Sequence, residues 1–348
     1  MEVSSWFKSL FQRGPAPTGR ELALPPPPPE LPVPAGPEAN PFDAIWERLS
    51  SPDPVETPSQ ALDLKPLVEG VKAHFNRNKP SPSSFPALAI RVMDLLAQAD
   101  VDVHELLKTI GPDPAISAHL MKVANSVLYY RGQDVLDLRT AVMKIGVRGV
   151  GEIAAGVAGR TLFDVALRVE YETFPERWRD LFCSNMTTAF AASQFSFEQH
   201  HSRPDWVFLG GMFMDIGKTM ALRSLARLIM AGQVPPDLPS AQVDALLEEV
   251  HLEIGTEALR VWGLPSHLVE ICMHHHDPLV EGTEYSEEIH TLRLVDGMSR
   301  LTRNPDDPTY LDQTRHSLEA LHMDRVRLRM LHRTVLEQKA RVAIMFPG

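Results

Sequence analysis

The chain has 348 residues and a formal net charge of −11 at pH 7, with 34 basic and 45 acidic side chains. This acidic balance excludes the basic footprint that is typical of general nucleic-acid binding. The two cysteines, Cys183 and Cys272, are too few for a disulfide framework and predict reduced, buried thiols in a cytoplasmic protein. No apolar stretch reaches the length of a membrane span, so we expect no transmembrane segment.

The first 80 residues carry little of the pattern of a folded core. Residues 1–14 predict a short amphipathic segment that either docks on a partner or a membrane surface, or frays. Residues 15–60 predict a disordered, Pro-rich linker around the unbroken run Pro25–Pro29. Residues 61–80 predict a lead-in helix followed by a second short linker.

From Phe85 onward the apolar residues recur at helical spacing, and no convincing alternating strand run follows, so the predicted class is all-α. Asp113 and Pro114 predict a helix start, with Asp as the N-cap and Pro at the first helical position. The next predicted helix begins near Leu138 and closes on Gly146. The glycine-rich segment 147–163 predicts a core helix that neighbouring helices approach closely.

The second half of the chain predicts further long helices. Thr173 and Glu176 have the spacing of a capping box, which predicts a helix start there. Pro204 opens a helix that is predicted to run through Met214 until a break at 233–239. The remaining predicted helices cover 240–262, 266–276, 286–303 and 311–346.

Several motifs in a fixed order carry a family resemblance over roughly residues 81–303. They are DPAISAHLMKVANS, AVMKIG, RWRDLF, DIGK, HLEIG, WGLP and HHHDP. In this combination the chain resembles the HDOD domain family, a signalling module related to the HD phosphohydrolases. The resemblance implies a multi-helix bundle, with an N-terminal helical subdomain over 81–170 and an HD-like helical subdomain over 171–348. It also implies a role in bacterial signal transduction.

The same resemblance points to a degenerate metal site. In the related hydrolases a His, an adjacent His-Asp pair and a distant Asp hold the metal. The resemblance places these at Asp180, at Met214 and Asp215, and at Asp296, so both imidazole ligands are replaced. Because a thioether is a poor ligand for such metals, it implies no catalytic residue, no cofactor and no resident metal.

Two interpretations of the remaining polar residues stay open. In one, five side chains converge on a cavity, and Asp180, Asp215, His251 and Asp296 hold a divalent ion; the five are Asp180, Asp215, His251, His275 and Asp296. In the other, Asp215 pairs inside the bundle with Lys218, three residues further along the helix. Of the run 274–276, at most two histidines are expected to reach a shared site, because adjacent helical residues point in different directions.

Three functions follow from these observations. The leading hypothesis is a non-catalytic regulatory module, a pseudoenzyme, that acts by binding other proteins of a signalling pathway. The second is a divergent metal-dependent phosphohydrolase in which His251 or His275 supplies the missing imidazole. The third is a sensor that binds a nucleotide, such as a cyclic dinucleotide, without cleaving it, with Lys218 and Arg179 meeting its phosphates.

Overall fold

The computed structural model describes residues 41–51, 64–81, 84–98, 101–163, 168–199, 203–277, 280 and 282–347. The regular elements within these ranges are all helices, which confirms the predicted all-α class. The predicted N-terminal segment 1–14 lies outside the described residues. No helix in the described ranges is both long and apolar enough to span a bilayer.

The N-terminal half of the described chain holds eight short to medium helices. They are α1 (Pro41–Ser50), α2 (Lys65–Arg77), α3 (Ala87–Leu96), α4 (Val103–Ile110), α5 (Pro114–Ala124), α6 (Leu138–Ile145), α7 (Val147–Arg160) and α8 (Arg168–Thr173). The C-terminal half contains the longest helices of the described chain. They are α9 (Pro175–Gln199), α10 (Pro204–Phe213), α11 (Ile216–Met230), α12 (Ser240–Val261), α13 (Ser266–His274), α14 (Ser286–Leu301), α15 (Pro308–Ala320) and α16 (Arg325–Met345).

The local signals of the N-terminal half are confirmed. The Asp113 carboxylate accepts hydrogen bonds from the backbone N–H groups of Ala115 and Ile116 at 2.9 and 3.1 Å, as an N-cap does. Gly146 ends α6 with φ at 90°, a conformation that favours glycine. In α7, a Cβ on Gly151 would collide with the Leu96 side chain, so α3 packs directly against the glycine.

Three boundaries and one helix cap predicted from the sequence are wrong. Residues 41–50 are predicted to belong to the Pro-rich linker, but they form α1, and the apolar side chains of this helix are buried. The helix expected to continue through Met214 is interrupted, because α10 ends at Phe213 and α11 begins at Ile216. The segment 311–346 is divided between α15 and α16. The Thr173 hydroxyl donates backward to the carbonyl of Val169, so it does not cap α9.

Two apolar clusters stabilise the bundle. The larger one joins the N-terminal helices to the helices α9 to α13, for example through Ile153 and Met186. The second lies around α1, α14, α15 and α16. Helices α11 and α12 cross at Gly217, where an added Cβ would overlap the backbone carbonyl of His251. This close crossing brings the first turn of α11 against the middle of α12, and it positions the polar centre described next.

Candidate polar centre at the start of helix α11

Four side chains converge at the break between α10 and α11. Asp215 stands in that break, His251 projects from α12, and His275 and His276 lie in the turn after α13. Each offers one metal-ligating atom, and these four atoms lie within 4.8 Å of one another. We call Asp215, His251, His275 and His276 the Asp215 cluster. Three segments that are distant in sequence therefore supply one polar site.

Backbone carbonyls fix the orientation of two of the imidazoles. His251 Nδ1 donates to the carbonyl of Glu248 at 2.8 Å, and His275 Nδ1 donates to the carbonyl of Cys272 at 2.9 Å. A carbonyl can only accept, so in a neutral ring the Nε2 atom then carries the lone pair. The two Nε2 atoms lie 3.6 and 3.5 Å from Asp215 Oδ1. Two lone pairs thus face one carboxylate oxygen, an arrangement that calls for a proton or a cation between them.

Burial sets the ionisation of the cluster. It lowers the pKa of His251 to about 3, and the nearby ammonium of Lys218 acts in the same direction. Burial also lowers the pKa of His276 to about 2. Burial alone would raise the pKa of Asp215, but the ammonium of Lys218 holds it well below its usual range. At neutral pH Asp215 is therefore a carboxylate, and His251 and His276 are neutral imidazoles.

A lysine supplies the cation. Lys218 Nζ lies 3.1 Å from Asp215 Oδ1 and 2.8 Å from Glu248 Oε1. Both Lys218 and Asp215 are buried, at 2% and 3% exposure. The predicted pairing of Asp215 with Lys218 is therefore present. It is better placed than a surface pair because water does not screen it.

An arginine that the sequence reading missed engages the other carboxylate oxygen. Arg300 Nη2 lies 3.5 Å from Asp215 Oδ2, and its Nε lies 3.5 Å from Asp296 Oδ1. Asp296, which is 5% exposed, is thus linked to the Asp215 cluster through Arg300. The available signal was the spacing of four residues between Asp296 and Arg300 on α14, which puts them on one helix face.

Two of the predicted positions do not contribute polar ligands here. The Asp180 side chain on α9 is 71% exposed and faces Arg179 at 3.9 Å. The expectation that Asp180 converges with the other site residues is therefore wrong. Met214 is 2% exposed and belongs to the same buried apolar cluster as Ile271 and Leu292. Its thioether serves as core packing.

The donor set fits a divalent metal in part. Three imidazoles and one carboxylate suit a borderline divalent ion, and the Nε2 atoms of His251, His275 and His276 have no hydrogen-bond partner among the described residues. Against this, Lys218 and Arg300 already lie against the two oxygens of Asp215. A metal at these ligands therefore requires the Lys218 ammonium to leave Oδ1.

A surface cavity of about 370 Å³ lies between α2 and α12 and shares no lining residue with the Asp215 cluster. Its two lysines are paired, Lys72 with Glu253 and Lys79 with Glu257, each at 2.6 Å. The lysine charges of this cavity are therefore already compensated by carboxylates of α12.

The comparisons with known proteins agree with this architecture. A model of the HDOD domain matches residues 83–278. A solved HDOD domain protein of unknown function from Geobacter sulfurreducens gives a TM-score of 0.56 at 18% identity, covering 82% of this chain and all of its own. A second solved chain, from Marinobacter aquaeolei VT8, is named provisionally as a signal transduction protein. It gives a TM-score of 0.52 at 16% identity, and the match covers 88% of this chain and 65% of the Marinobacter chain.

An uncharacterized protein of Treponema pallidum (strain Nichols) is 23% identical over 229 residues. The match covers 61% of this chain and 42% of the relative, so the chain spans less than half of that protein's length. At these identities the likeness concerns the fold.

Proposed function

Because the chain belongs to the HDOD domain family, we propose that it is a non-catalytic regulatory module of signal transduction that acts by binding other proteins. The observation that carries the proposal is the ion pair of Lys218 with Asp215. The acid of the degenerate His-Asp pair is charge-compensated by a side chain of the same helix, and both partners are buried.

Three features of the centre support a structural role. Met214 contributes to the apolar core at the position of the missing imidazole. Asp180 is exposed, whereas Asp215, His251 and His275 are buried. Asp215 and Asp296 share the guanidinium of Arg300, which holds the first turn of α11 against α14. In this proposal the centre fixes the relative positions of α11, α12, α13 and α14, whose outer faces are then presented to a partner.

A second candidate function rests on a specific observation, the three unpartnered Nε2 atoms. In this alternative a divalent ion replaces the Lys218 ammonium at Asp215, with the three imidazoles as its other ligands. Such an ion would supply Lewis acidity and a bound water of lowered pKa. The chain would then be a metal-dependent phosphohydrolase or a nucleotide-binding sensor, in which Arg300 orients the carboxylates.

The experiment that separates the two is metal content by plasma mass spectrometry, after incubation with Mn²⁺ and desalting. We expect the wild-type chain to retain far less than about one ion per chain, and Lys218→Met to retain more, because the Nε2 atoms and Asp215 then lack their resident cation. Lys218→Met/Asp215→Asn is the matched control and should retain none.

Turnover is measured on the same samples with bis(p-nitrophenyl) phosphate. We expect no metal-dependent hydrolysis above buffer in the wild-type chain. About one ion per wild-type chain, lost together with turnover in Asp215→Asn, would overturn the non-catalytic proposal and establish the enzyme.

A further inference from the structure

Helix α1 lies in a groove in the way that a bound peptide does. Its apolar residues Phe42, Ile45, Trp46 and Leu49 follow the spacing i, i+3, i+4 and i+7, which is the anchor pattern of a helix in a groove. Phe42 and Ile45 are fully buried and Leu49 is 7% exposed. The helix packs against α15 and α16, and its apolar face belongs to the second apolar cluster.

The N-terminal end of α1 is bound by two arginines of α16. Asp43 Oδ1 accepts hydrogen bonds from Arg325 Nη2 at 2.9 Å and from Arg329 Nη2 at 3.0 Å. The guanidinium of Arg329 also lies over the Phe42 ring, 5.1 Å from its centroid. The groove therefore recognises an aromatic anchor followed directly by a carboxylate.

The C-terminal end of α1 is bound by one arginine of α15. Arg315 donates to the carbonyls of Arg48, Leu49 and Ser51 at 2.6, 3.2 and 2.9 Å. Carbonyls at the end of a helix have no hydrogen-bond partner within the helix. Arg315 therefore recognises the backbone at the end of α1 and not particular side chains. A second contact joins Arg48 to Asp306 at 2.6 Å. Any helix of similar length can offer backbone carbonyls to Arg315 in the same way.

Helix α1 depends on the groove for its stability. Ten residues are too few for a stable isolated helix in water. The groove and α1 both lie outside residues 83–278, the part that the HDOD model matches. Three ion pairs of α1 involve partly exposed side chains, for example Arg325 with Asp43, whose side chains are 50% and 43% exposed. Such pairs hold weakly, so α1 is an occupant that can exchange.

We propose that the groove between α15 and α16 is a docking site for an amphipathic helix of a partner protein, and that α1 is the internal occupant that this helix displaces. The partner helix carries apolar residues at i, i+3, i+4 and i+7 and a carboxylate directly after the first of them. This inference rests on the proposed function in one respect, that the chain acts by binding proteins. It does not depend on the state of the Asp215 cluster.

The test uses a fluorescein-labelled peptide of residues 40–52 as the probe and the full chain as the receptor, with fluorescence anisotropy as the readout. In Phe42→Ala/Ile45→Ala the internal helix loses its two buried anchors and leaves the groove. We expect this variant to bind the peptide roughly ten-fold or more tightly than the wild-type chain does, because the free groove is then the dominant state. Adding Arg315→Ala should abolish the gain, and a peptide carrying Ile45→Asp should not bind.

A second variant keeps the test valid if loss of the anchors unfolds the chain. Asp43→Ala/Arg48→Ala loosens α1 from its exposed side without touching the apolar core, and it should also bind the peptide more tightly than the wild-type chain does. Equal affinity of the wild-type chain and both folded variants would overturn the proposal, as would no binding by either variant.

Light scattering tests whether α1 of a second copy of the chain occupies the groove instead of a partner protein. A wild-type dimer that Phe42→Ala/Ile45→Ala cannot form would assign the groove to α1 of a second copy, and would overturn the assignment to a partner protein. Failure of peptide binding leaves the metal and turnover results untouched, so loss of this inference is distinguishable from loss of the proposed function.

Discussion

Lys218 Nζ lies 3.1 Å from Asp215 Oδ1 in the first turn of α11, and both side chains are buried. The ammonium stands where two imidazole Nε2 atoms also converge on that oxygen. A buried carboxylate needs a nearby positive charge, and in this chain a side chain supplies it. Two cations, Lys218 and Arg300, therefore lie within 3.5 Å of the Asp215 carboxylate.

Removing this lysine should strongly destabilise the fold. We expect Lys218→Met to lower the free energy of unfolding by about 3–5 kcal/mol, because it leaves the Asp215 carboxylate buried without its partner. The double variant Asp215→Asn/Lys218→Met should recover part of the loss, since neither charge then remains. Urea unfolding followed by circular dichroism measures both effects.

The matched control is Lys72→Met. Lys72 pairs with Glu253 at the surface, with side chains 29% and 62% exposed, so its loss should cost less than about 1 kcal/mol. If Lys218→Met proves as stable as this control in metal-free buffer, the account of the centre as a buried ion pair is wrong.

Restoring one imidazole should not restore hydrolysis. In Met214→His the His-Asp pair is complete again, but Asp180 remains 71% exposed on α9 and Lys218 still lies against Asp215. We expect no Mn²⁺-dependent hydrolysis of bis(p-nitrophenyl) phosphate and a loss of about 1–3 kcal/mol in stability, because a polar ring enters an apolar cluster. Met214→Leu is the control for packing. Metal-dependent turnover that disappears on adding Asp215→Asn would contradict the prediction.

The parts of this architecture that were predictable from the sequence depend on neighbours along the chain. The cap at Asp113 and the end of α6 at Gly146 are decided within one helical turn. The pairing of Asp215 with Lys218 spans three residues of one helix, so its spacing was visible in the sequence. Interactions of this range need no knowledge of the fold.

The rest depends on how distant helices meet. His276 enters the Asp215 cluster because α13 ends at His274, so the next two histidines lie in a turn and both face inward, with rings 4.2 Å apart. The placement of Asp180 depends on the rotation of α9 about its axis. Composition suggested a linker for residues 41–50, but the groove of α15 and α16 stabilises a helix there.

The crossing of α11 and α12 should tolerate no side chain at Gly217. An added Cβ would overlap the carbonyl oxygen of His251 and approach the backbone nitrogen of Gly255 at 2.7 Å. Because both are backbone atoms, the helices themselves must separate, and we expect Gly217→Ala to cost at least the upper end of the roughly 1–3 kcal/mol typical of overpacking. Thermal unfolding measures the loss.

Gly210→Ala is the matched control for that crossing. The nearest neighbours of its added Cβ would be side-chain atoms and not backbone, namely Leu292 at 2.7 Å and Ile271 at 2.9 and 3.4 Å. Those side chains can shift, so this variant should be the more stable of the two. The reverse order of melting temperatures would refute the close crossing of α11 and α12.

A buried histidine outside the cluster should make the fold sensitive to acid. His267 stacks on Trp206 with ring centroids 4.4 Å apart, and its Nε2 has no hydrogen-bond partner among the described residues. Burial, assisted by Arg203, lowers the pKa of His267 from 6.5 to about 4. Between these two values the unfolded chain binds a proton at this ring and the folded chain does not. The stability contributed by the neutral ring is therefore fully present above pH 6.5 and is lost as the pH falls toward 4.

We expect His267→Phe to reduce this acid sensitivity while keeping an aromatic ring against Trp206. From pH 7 to pH 5, the free energy of unfolding of the wild-type chain should fall by roughly 1–2 kcal/mol more than that of the variant. Urea unfolding at both pH values measures the difference, and the contributions of the other histidines cancel because both proteins carry them. Above pH 7 the two curves should run parallel, since neither state then binds a proton at this position. Parallel curves between pH 7 and pH 5 as well would mean that His267 is protonated inside the fold, and that water or a carboxylate reaches its Nε2.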